Sequence, residues 1–312
     1  MADRHPNLAG RDGEPVNAAS TTLTGAPALA PSLLRGALLS PFKRPRPEAA
    51  LTPVRLVLPG VRVDLARLAA YERVCGFATG DDALPITYPH VLGFPLAMRL
   101  MSDRAFPLPL LGLVHTSLTL TRHTALTATG TYELAVQVEG LAPHRRGTQA
   151  TVATELRAAD GVVWESRSTY LARHRTAGPR PEAPPGQREQ REQRKPGEKP
   201  EGKPLPVVAE WRLAGDVGRR YAAASGDRNP IHLHPLTARA FGFPRAIAHG
   251  MWTVARCLAA HGTPRSARVD VRFGAPVLLP GTVEYAAEGG RFALREGSGR
   301  VHVDGVVYPA DR

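Results

Sequence analysis

The chain has 312 residues, of which 43% are apolar and 22% charged, and its net charge is +12. This length accommodates one large or two ordinary domains, and this composition is typical of a globular protein with a buried core. No window approaches the roughly 18 apolar residues that a membrane-spanning helix needs. The two cysteines, Cys75 and Cys257, are too few for a disulfide framework, so we expect core thiols in a protein of the reducing cytoplasm.

The arginines that produce the positive charge are scattered and often fall in strand-like segments. There is no basic helix and no alternation of basic and aromatic residues, so the charge does not favour nucleic-acid binding. One explanation of the positive charge is an arginine-rich surface. The other is a role in attracting an anionic partner electrostatically.

Two segments lack the apolar pattern of a folded domain. Residues 1–50 are rich in Pro, Ala, Gly and Ser and predict a disordered leader, because the short amphipathic run Leu33–Leu39 would not form a stable helix alone. Residues 174–205 consist mainly of Pro, Gly, Gln and charged residues and predict a flexible linker. We therefore expect two domains, at 51–173 and 206–312.

Both domains have an α+β pattern. In the first, a β-rich run at Val54–Asp64 precedes helix-like segments at Leu65–Val74 and Pro89–Ser102. Strands are predicted near residues 112–121, 130–139, 148–157 and 162–172, and, in the second domain, near 268–273, 282–287, 291–295 and 301–308. Helices followed by an antiparallel sheet predict the same architecture twice.

The two domains also share a local pattern. Tyr71–Phe77 aligns with Tyr221–Asp227 so that the tyrosines and glycines coincide, while Phe77 stands where the second copy has Asp227. The first copy also lacks the polar segment that follows. This indicates an internal repeat with a degenerate first member.

The polar segment of the second copy carries candidate catalytic groups. An apolar helical spacing over residues 216–224 ends at Ser225-Gly226, which places Asp227 in a loop. Asn229-Pro230 opposes continuation of the helix, so we expect His232 on a non-helical segment near Asp227. An acid beside an imidazole is a general acid/base pair.

A second piece follows at residues 246–260, an apolar helical segment that contains Gly250 near its start. Free N–H groups at a helix N-terminus stabilise an anion, as an oxyanion hole does. His232, His234 and His249 could suggest a metal site, but no further ligand completes it, so we expect no metal.

These motifs resemble a known family. Residues 225–232, 240–243 and 247–251 resemble the signature of the MaoC-like, or type 2, enoyl-CoA hydratases, which have the hot-dog fold. Residues 84–95 and 109–115 resemble the N-terminal half of actinobacterial double-hot-dog 3-hydroxyacyl-thioester dehydratases. The resemblance implies two fused hot-dog domains, hence a pseudo-dimer within one chain that could also form a homodimer.

The resemblance also implies an activity, the reversible hydration of trans-2-enoyl thioesters to (R)-3-hydroxyacyl thioesters in fatty acid metabolism. Asp227 and His232 would activate one water, Asn229 would orient them, and the Gly250 N–H would polarise the thioester carbonyl. No cofactor is expected, because coenzyme A or an acyl carrier protein carries the substrate.

Further substrate contacts are expected at Ser225, His249, Met251, Phe77, Arg228 and Arg245. We expect the His249 ring to support the Gly250 turn, and Phe77 to help accommodate a long acyl chain. Arg228 and Arg245, with Arg239, are candidates for phosphate contacts, and ordinary surface positions are the alternative. Two other functions remain open, a hot-dog thioesterase and a non-catalytic module that binds an acyl group or carrier protein.

Overall fold

The computed structural model describes residues 19–43, 45, 54–174 and 204–310. The first half contains strands β1 (Ala19–Thr22), β2 (Val54–Arg62), β3 (Val114–Arg122), β4 (Thr131–His144), β5 (Gly147–Ala158) and β6 (Gly161–Arg173), and helices α1 (Leu29–Leu39), α2 (Leu65–Cys75) and α3 (Tyr88–Met101). The second half contains strands β7 (Val207–Leu213), β8 (Ala267–Phe273), β9 (Gly281–Glu288), β10 (Arg291–Arg295) and β11 (Val301–Pro309), and helices α4 (Val217–Ser225), α5 (Pro230–Leu233), α6 (Pro235–Ala240) and α7 (Gly250–His261).

All of these strands belong to one sheet, in the order β1-β2-β4-β5-β6-β3-β8-β11-β10-β9-β7. Each pairing is antiparallel except β1 with β2, which is parallel. The two halves meet in the middle, where β3 pairs with β8 and Leu118 lies opposite Val271. A single continuous sheet therefore joins the two copies of the repeat.

Each half covers a long helix with its part of the sheet. Helix α3 packs on β4 and β5, and α7 packs on β10. Alternating strand residues face these helices, and the fully buried Trp164 donates its indole N–H to the Ile86 carbonyl oxygen at 2.8 Å. The helices of the two halves also meet, because α2 packs on α4 and α7. This arrangement confirms the double hot-dog fold.

The predicted disordered leader is wrong for residues 19–43. Strand β1 extends the sheet beside β2, and α1 packs on α3. The leucines of α1 need a partner surface to form a helix, and α3 provides it, so the helix does not have to be stable alone. The remainder of residues 1–50 apart from Pro45, and residues 175–203 of the predicted linker, lie outside the described part of the chain.

The other predicted strands are confirmed to within a few residues, but strand β7 and the start of the helix in the second half differ from prediction. Strand β7 was not predicted, because only part of it is apolar. It lies at the edge of the sheet, where Trp211 stacks on Tyr285 with 5.0 Å between ring centroids. The helix predicted at 246–260 begins only at Gly250. Among the described helices, none combines the length and apolar character that crossing a membrane requires.

Candidate active site

The loop that carries Asp227 begins where α4 ends. Gly226 closes the helix with φ of 85°, a left-handed conformation that favours glycine. The Asp227 N–H then donates to the Ser225 hydroxyl oxygen at 3.2 Å, and the Asn229 N–H donates to Asp227 Oδ1 at 3.1 Å. Local hydrogen bonds therefore fix both the backbone and the carboxylate of Asp227.

His232 follows on the short helix α5, so the prediction of a non-helical segment is wrong. Pro230 occupies the first turn, where its missing N–H costs nothing, and the Asn229 side chain caps the helix by accepting from the Ile231 N–H at 3.4 Å. Gly218 on α4 lets this segment approach closely, because a Cβ there would overlap the His232 carbonyl oxygen. Asn229 thus contacts the Asp227 carboxylate through its backbone N–H and caps the helix that carries His232, while its orienting role remains a prediction.

The protonation state of His232 follows from its surroundings. Its Nδ1 lies 2.8 Å from the Ile247 carbonyl oxygen, which can only accept, so Nδ1 carries the proton and Nε2 is a free acceptor. The side chain is buried, and burial lowers its pKa below 6.5, while the Asp227 charge partly opposes this shift. The imidazole is therefore neutral at pH 7. Asp227 keeps 27% of its side chain exposed and remains accessible to water.

His249 contacts both Asp227 and His232, and the sequence did not predict these contacts. Its Nε2 donates to the backbone carbonyl oxygen of Asp227 at 2.9 Å, so it braces the Asp227 loop instead of the Gly250 turn. Its ring stacks on His232 with 3.7 Å between centroids. Burial and the neighbouring His232 hold the pKa of His249 well below 6.5, so its 3.9 Å contact with the Asp227 carboxylate involves a neutral ring.

Asp227, His232 and His249 each offer a ligand atom within 4.8 Å of the others. Two acceptors bridged by one water lie roughly 4.5–5 Å apart, so this spacing accommodates a single water. It suits a metal ion less well. The His232 and His249 rings are nearly parallel, at 29°, so their lone pairs do not converge on one point. His234 lies apart and caps α6 by accepting from the Leu236 N–H.

Gly250 is the first residue of α7, so its N–H belongs to the group that lacks intrahelical acceptors. A Cβ at this position would lie 3.1 Å from Cε1 of Phe273, so a side chain would crowd the ring. The positive end of the α7 dipole and this amide would stabilise an anion placed beside them. The predicted oxyanion donor therefore lies at a helix start.

The remaining predicted site residues have varied surroundings. Ser225 holds the Asp227 loop, Met251 is buried in α7, and Phe77 stacks on Tyr71 with 6.3 Å between centroids. Arg228, Arg239 and Arg245 are exposed, and the last two donate to the backbone carbonyl oxygens of Pro244 and Pro280. Their predicted phosphate contacts remain predictions.

The first half contributes a residue that the sequence did not indicate. Arg67 on α2 donates from Nε to the Ala224 carbonyl oxygen and from a terminal nitrogen to the Ser225 carbonyl oxygen, both at 2.7 Å. It therefore caps the C-terminus of α4 next to Asp227, where a cation is favourable. A Cβ on Gly226 would lie only 2.9 Å from this guanidinium. No local sequence signal links Arg67 to a helix over 150 residues away.

Comparison with known proteins identifies relatives of this chain. Residues 191–305 match the model of the MaoC like domain family. The 3-hydroxyacyl-thioester dehydratase X of Mycobacterium tuberculosis is 38% identical over 231 residues, which cover 73% of this chain and 78% of the relative.

Solved structures show the same likeness. The crystal structure of HtdX from Mycobacterium tuberculosis has a TM-score of 0.68 and 32% identity, and the match covers 82% of this chain and 100% of that one. A MaoC-like dehydratase from Phytophthora capsici, with a TM-score of 0.63 and 19% identity over 85% of this chain and 98% of that one, shares the fold. The chain belongs to the MaoC-like dehydratase family.

Proposed function

We propose that this protein is a hydro-lyase that catalyses the reversible hydration of trans-2-enoyl thioesters to (R)-3-hydroxyacyl thioesters. The observation that carries the proposal is that the Asp227 carboxylate and a neutral His232 offer ligand atoms within 4.8 Å of each other, a spacing that one water can bridge. The related 3-hydroxyacyl-thioester dehydratase supports the same class of reaction.

In the hydration direction, a water bound between Asp227 and His232 donates one proton to His232 Nε2 while its oxygen bonds to the β carbon. Electron density moves onto the thioester oxygen, which the Gly250 N–H stabilises. A proton then returns to the α carbon as this enolate collapses, and the sum is the addition of one water. The neutral His232 is suited to accept the proton, and the adjacent Asp227 carboxylate stabilises the imidazolium that forms.

The substrate carries its acyl group as a thioester of pantetheine. The proposed reaction therefore uses no further cofactor. Coenzyme A and the acyl carrier protein both present a thioester, and Arg228 is exposed beside the Asp227 loop to attract either anionic carrier. Cys75 and Cys257 are both buried free thiols, which supports a reducing compartment such as the cytoplasm.

The assay that tests this function follows the loss of the conjugated-thioester absorbance of crotonyl-CoA and of a longer trans-2-enoyl-CoA. Asp227→Asn keeps the shape of the side chain but removes its charge. We expect it to lower kcat/KM by about 10²–10⁴-fold, the range typical of removing a general acid or base.

The matched control is Asp304→Asn, which removes an exposed carboxylate on β11 and is expected to leave the rate unchanged. A thiol reagent is included in each reaction. Release of free coenzyme A would indicate a thioesterase, and full activity in Asp227→Asn would show that the mechanism is wrong.

Arg67 provides a second prediction, because it positions Asp227 without touching the substrate. We expect Arg67→Ala to lower kcat by about 10- to 100-fold with little change in KM, since small misplacements of a catalytic group are costly. Guanidinium ion added to the assay should restore part of the rate. Arg73→Ala, an exposed position on the same helix, is the control. A merely structural role would lower the melting temperature and give no guanidinium rescue.

The pH dependence of kcat/KM gives a third prediction. Because His232 must be neutral and burial lowers its pKa below 6.5, activity should persist at pH 6.5 and fall only at lower pH. The same lowered pKa means that the stability contributed by the neutral ring is full above the unfolded pKa and decreases below it, so circular dichroism must accompany each rate. An acid limb centred above pH 6.5 in folded protein would contradict this assignment.

A further inference from the structure

The first half brings polar rings toward the start of α7. His90, at the start of α3, is half-buried, and burial lowers its pKa to about 4, a shift that the Asp227 charge opposes. His90 is therefore a neutral imidazole.

His115 continues this group of rings along the sheet. Its ring lies 6.3 Å from that of His90, 4.6 Å from that of its cross-strand neighbour Tyr170, and 4.4 Å from that of Phe273 on β8. Phe273 in turn lies against Gly250. A row of rings on three adjacent strands thus leads from the oxyanion donor into the first half.

One ring of this row has unused hydrogen-bonding capacity. The Nε2 atom of His115 is buried without a hydrogen-bond partner among the described residues, which is costly unless a ligand supplies one. Burial also lowers the pKa of His115 to about 3 and raises that of Tyr170 to about 12. Both rings are consequently uncharged at pH 7.

We propose that His90, His115 and Tyr170 form a polar subsite for the acyl chain, which binds a hydroxyl or carbonyl oxygen carried beyond the two reacting carbons. The proposal rests on the hydratase function and deepens it by naming a substrate class, the oxygenated enoyl thioesters. Phe77 and the apolar residues around α3 would then accommodate the rest of the chain.

The chemistry of the three rings selects this class of ligand. Neutral imidazoles and a phenol each offer donors and acceptors, so they bind a neutral oxygen well. They lack the positive charge that a carboxylate or phosphate would require in a buried place. A plain alkyl chain would leave the buried Nε2 of His115 unpaired, and sites of this kind discriminate strongly against the ligand that lacks the polar group.

The test compares kcat/KM for a plain trans-2-enoyl-CoA with that for a set of equal chain length in which one hydroxyl is moved along the chain beyond the reacting carbons. For the best-placed hydroxyl, we expect the wild-type protein to prefer the hydroxylated substrate by about 10- to 100-fold. His90→Leu and His115→Leu should each reduce this preference toward unity. Crotonyl-CoA, which has almost no chain beyond the reacting carbons, gives the reference rate for each variant.

Two further variants serve as controls. His115→Gln keeps a donor and an acceptor and should retain part of the preference, which guards against a misleading result from a poorly folded leucine variant. His123→Leu replaces a histidine beyond the end of β3 that pairs with Glu165 at the surface, and it should retain the whole preference.

Equal rates for plain and hydroxylated substrates in the wild-type protein would overturn the subsite, and so would a preference that persists in both leucine variants. An equal loss on crotonyl-CoA would also overturn it, because the histidines would then act at the reacting atoms. A wild-type protein inactive on every thioester would instead overturn the hydratase function, together with the subsite that depends on it.

Discussion

The antiparallel pairing of β3 with β8 is the constraint on which the active site depends. It joins two half-sheets at fixed register, with Thr119 donating its hydroxyl to the Asp270 carboxylate at 2.9 Å across the junction. Because the register is fixed, His115 on β3 lies beside Phe273 on β8, and the helices on the same face are held against one another. The catalytic loop of the second half is consequently built against the first half.

This dependence gives the degenerate half a role beyond covering the core. The first half lacks an acid/base pair of its own, yet its Arg67 caps the helix that precedes Asp227. In the other direction, Trp252 of the second half donates its indole N–H to the Val74 carbonyl oxygen at 2.8 Å. Each half therefore donates side-chain hydrogen bonds to backbone carbonyl oxygens of a helix in the other half. Once one copy provided the chemistry, the other remained free to provide support and a surface for the substrate.

Much of the fold could be predicted from the sequence because its signals are local. Strand alternation and turn residues gave most strands to within a few residues, and Gly226 marked the end of α4. Asp227, Asn229, His232 and Gly250 could be selected as candidates for the same reason, because they lie in two short segments with recognisable patterns. Helix α1 could not be predicted because its stability comes from packing on α3. Strand β7 could not be predicted because a partly exposed edge strand has a weak pattern of apolar residues.

The contacts that the sequence did not indicate are long-range ones. Arg67 contacts the end of α4 and His115 contacts Phe273, and nothing near either residue in the sequence indicates these contacts. His249 was recognised, but its partner was not, because the bond to the Asp227 carbonyl oxygen depends on how α7 meets the loop. Local motifs indicated the candidate reacting groups, and tertiary contacts determine what holds them.

In the proposed reaction, one water held between Asp227 and His232, whose ligand atoms lie within 4.8 Å of each other, adds to the substrate from a single face. The stereochemistry of crotonyl-CoA hydration in deuterium oxide tests this reaction. The expected product is the (R)-3-hydroxyacyl thioester, with the new hydroxyl and the new deuteron added to the same face of the double bond. Addition to opposite faces would contradict the single water, because one water on one side of the substrate could not supply both groups. An (S) product would contradict the proposed (R) stereochemistry.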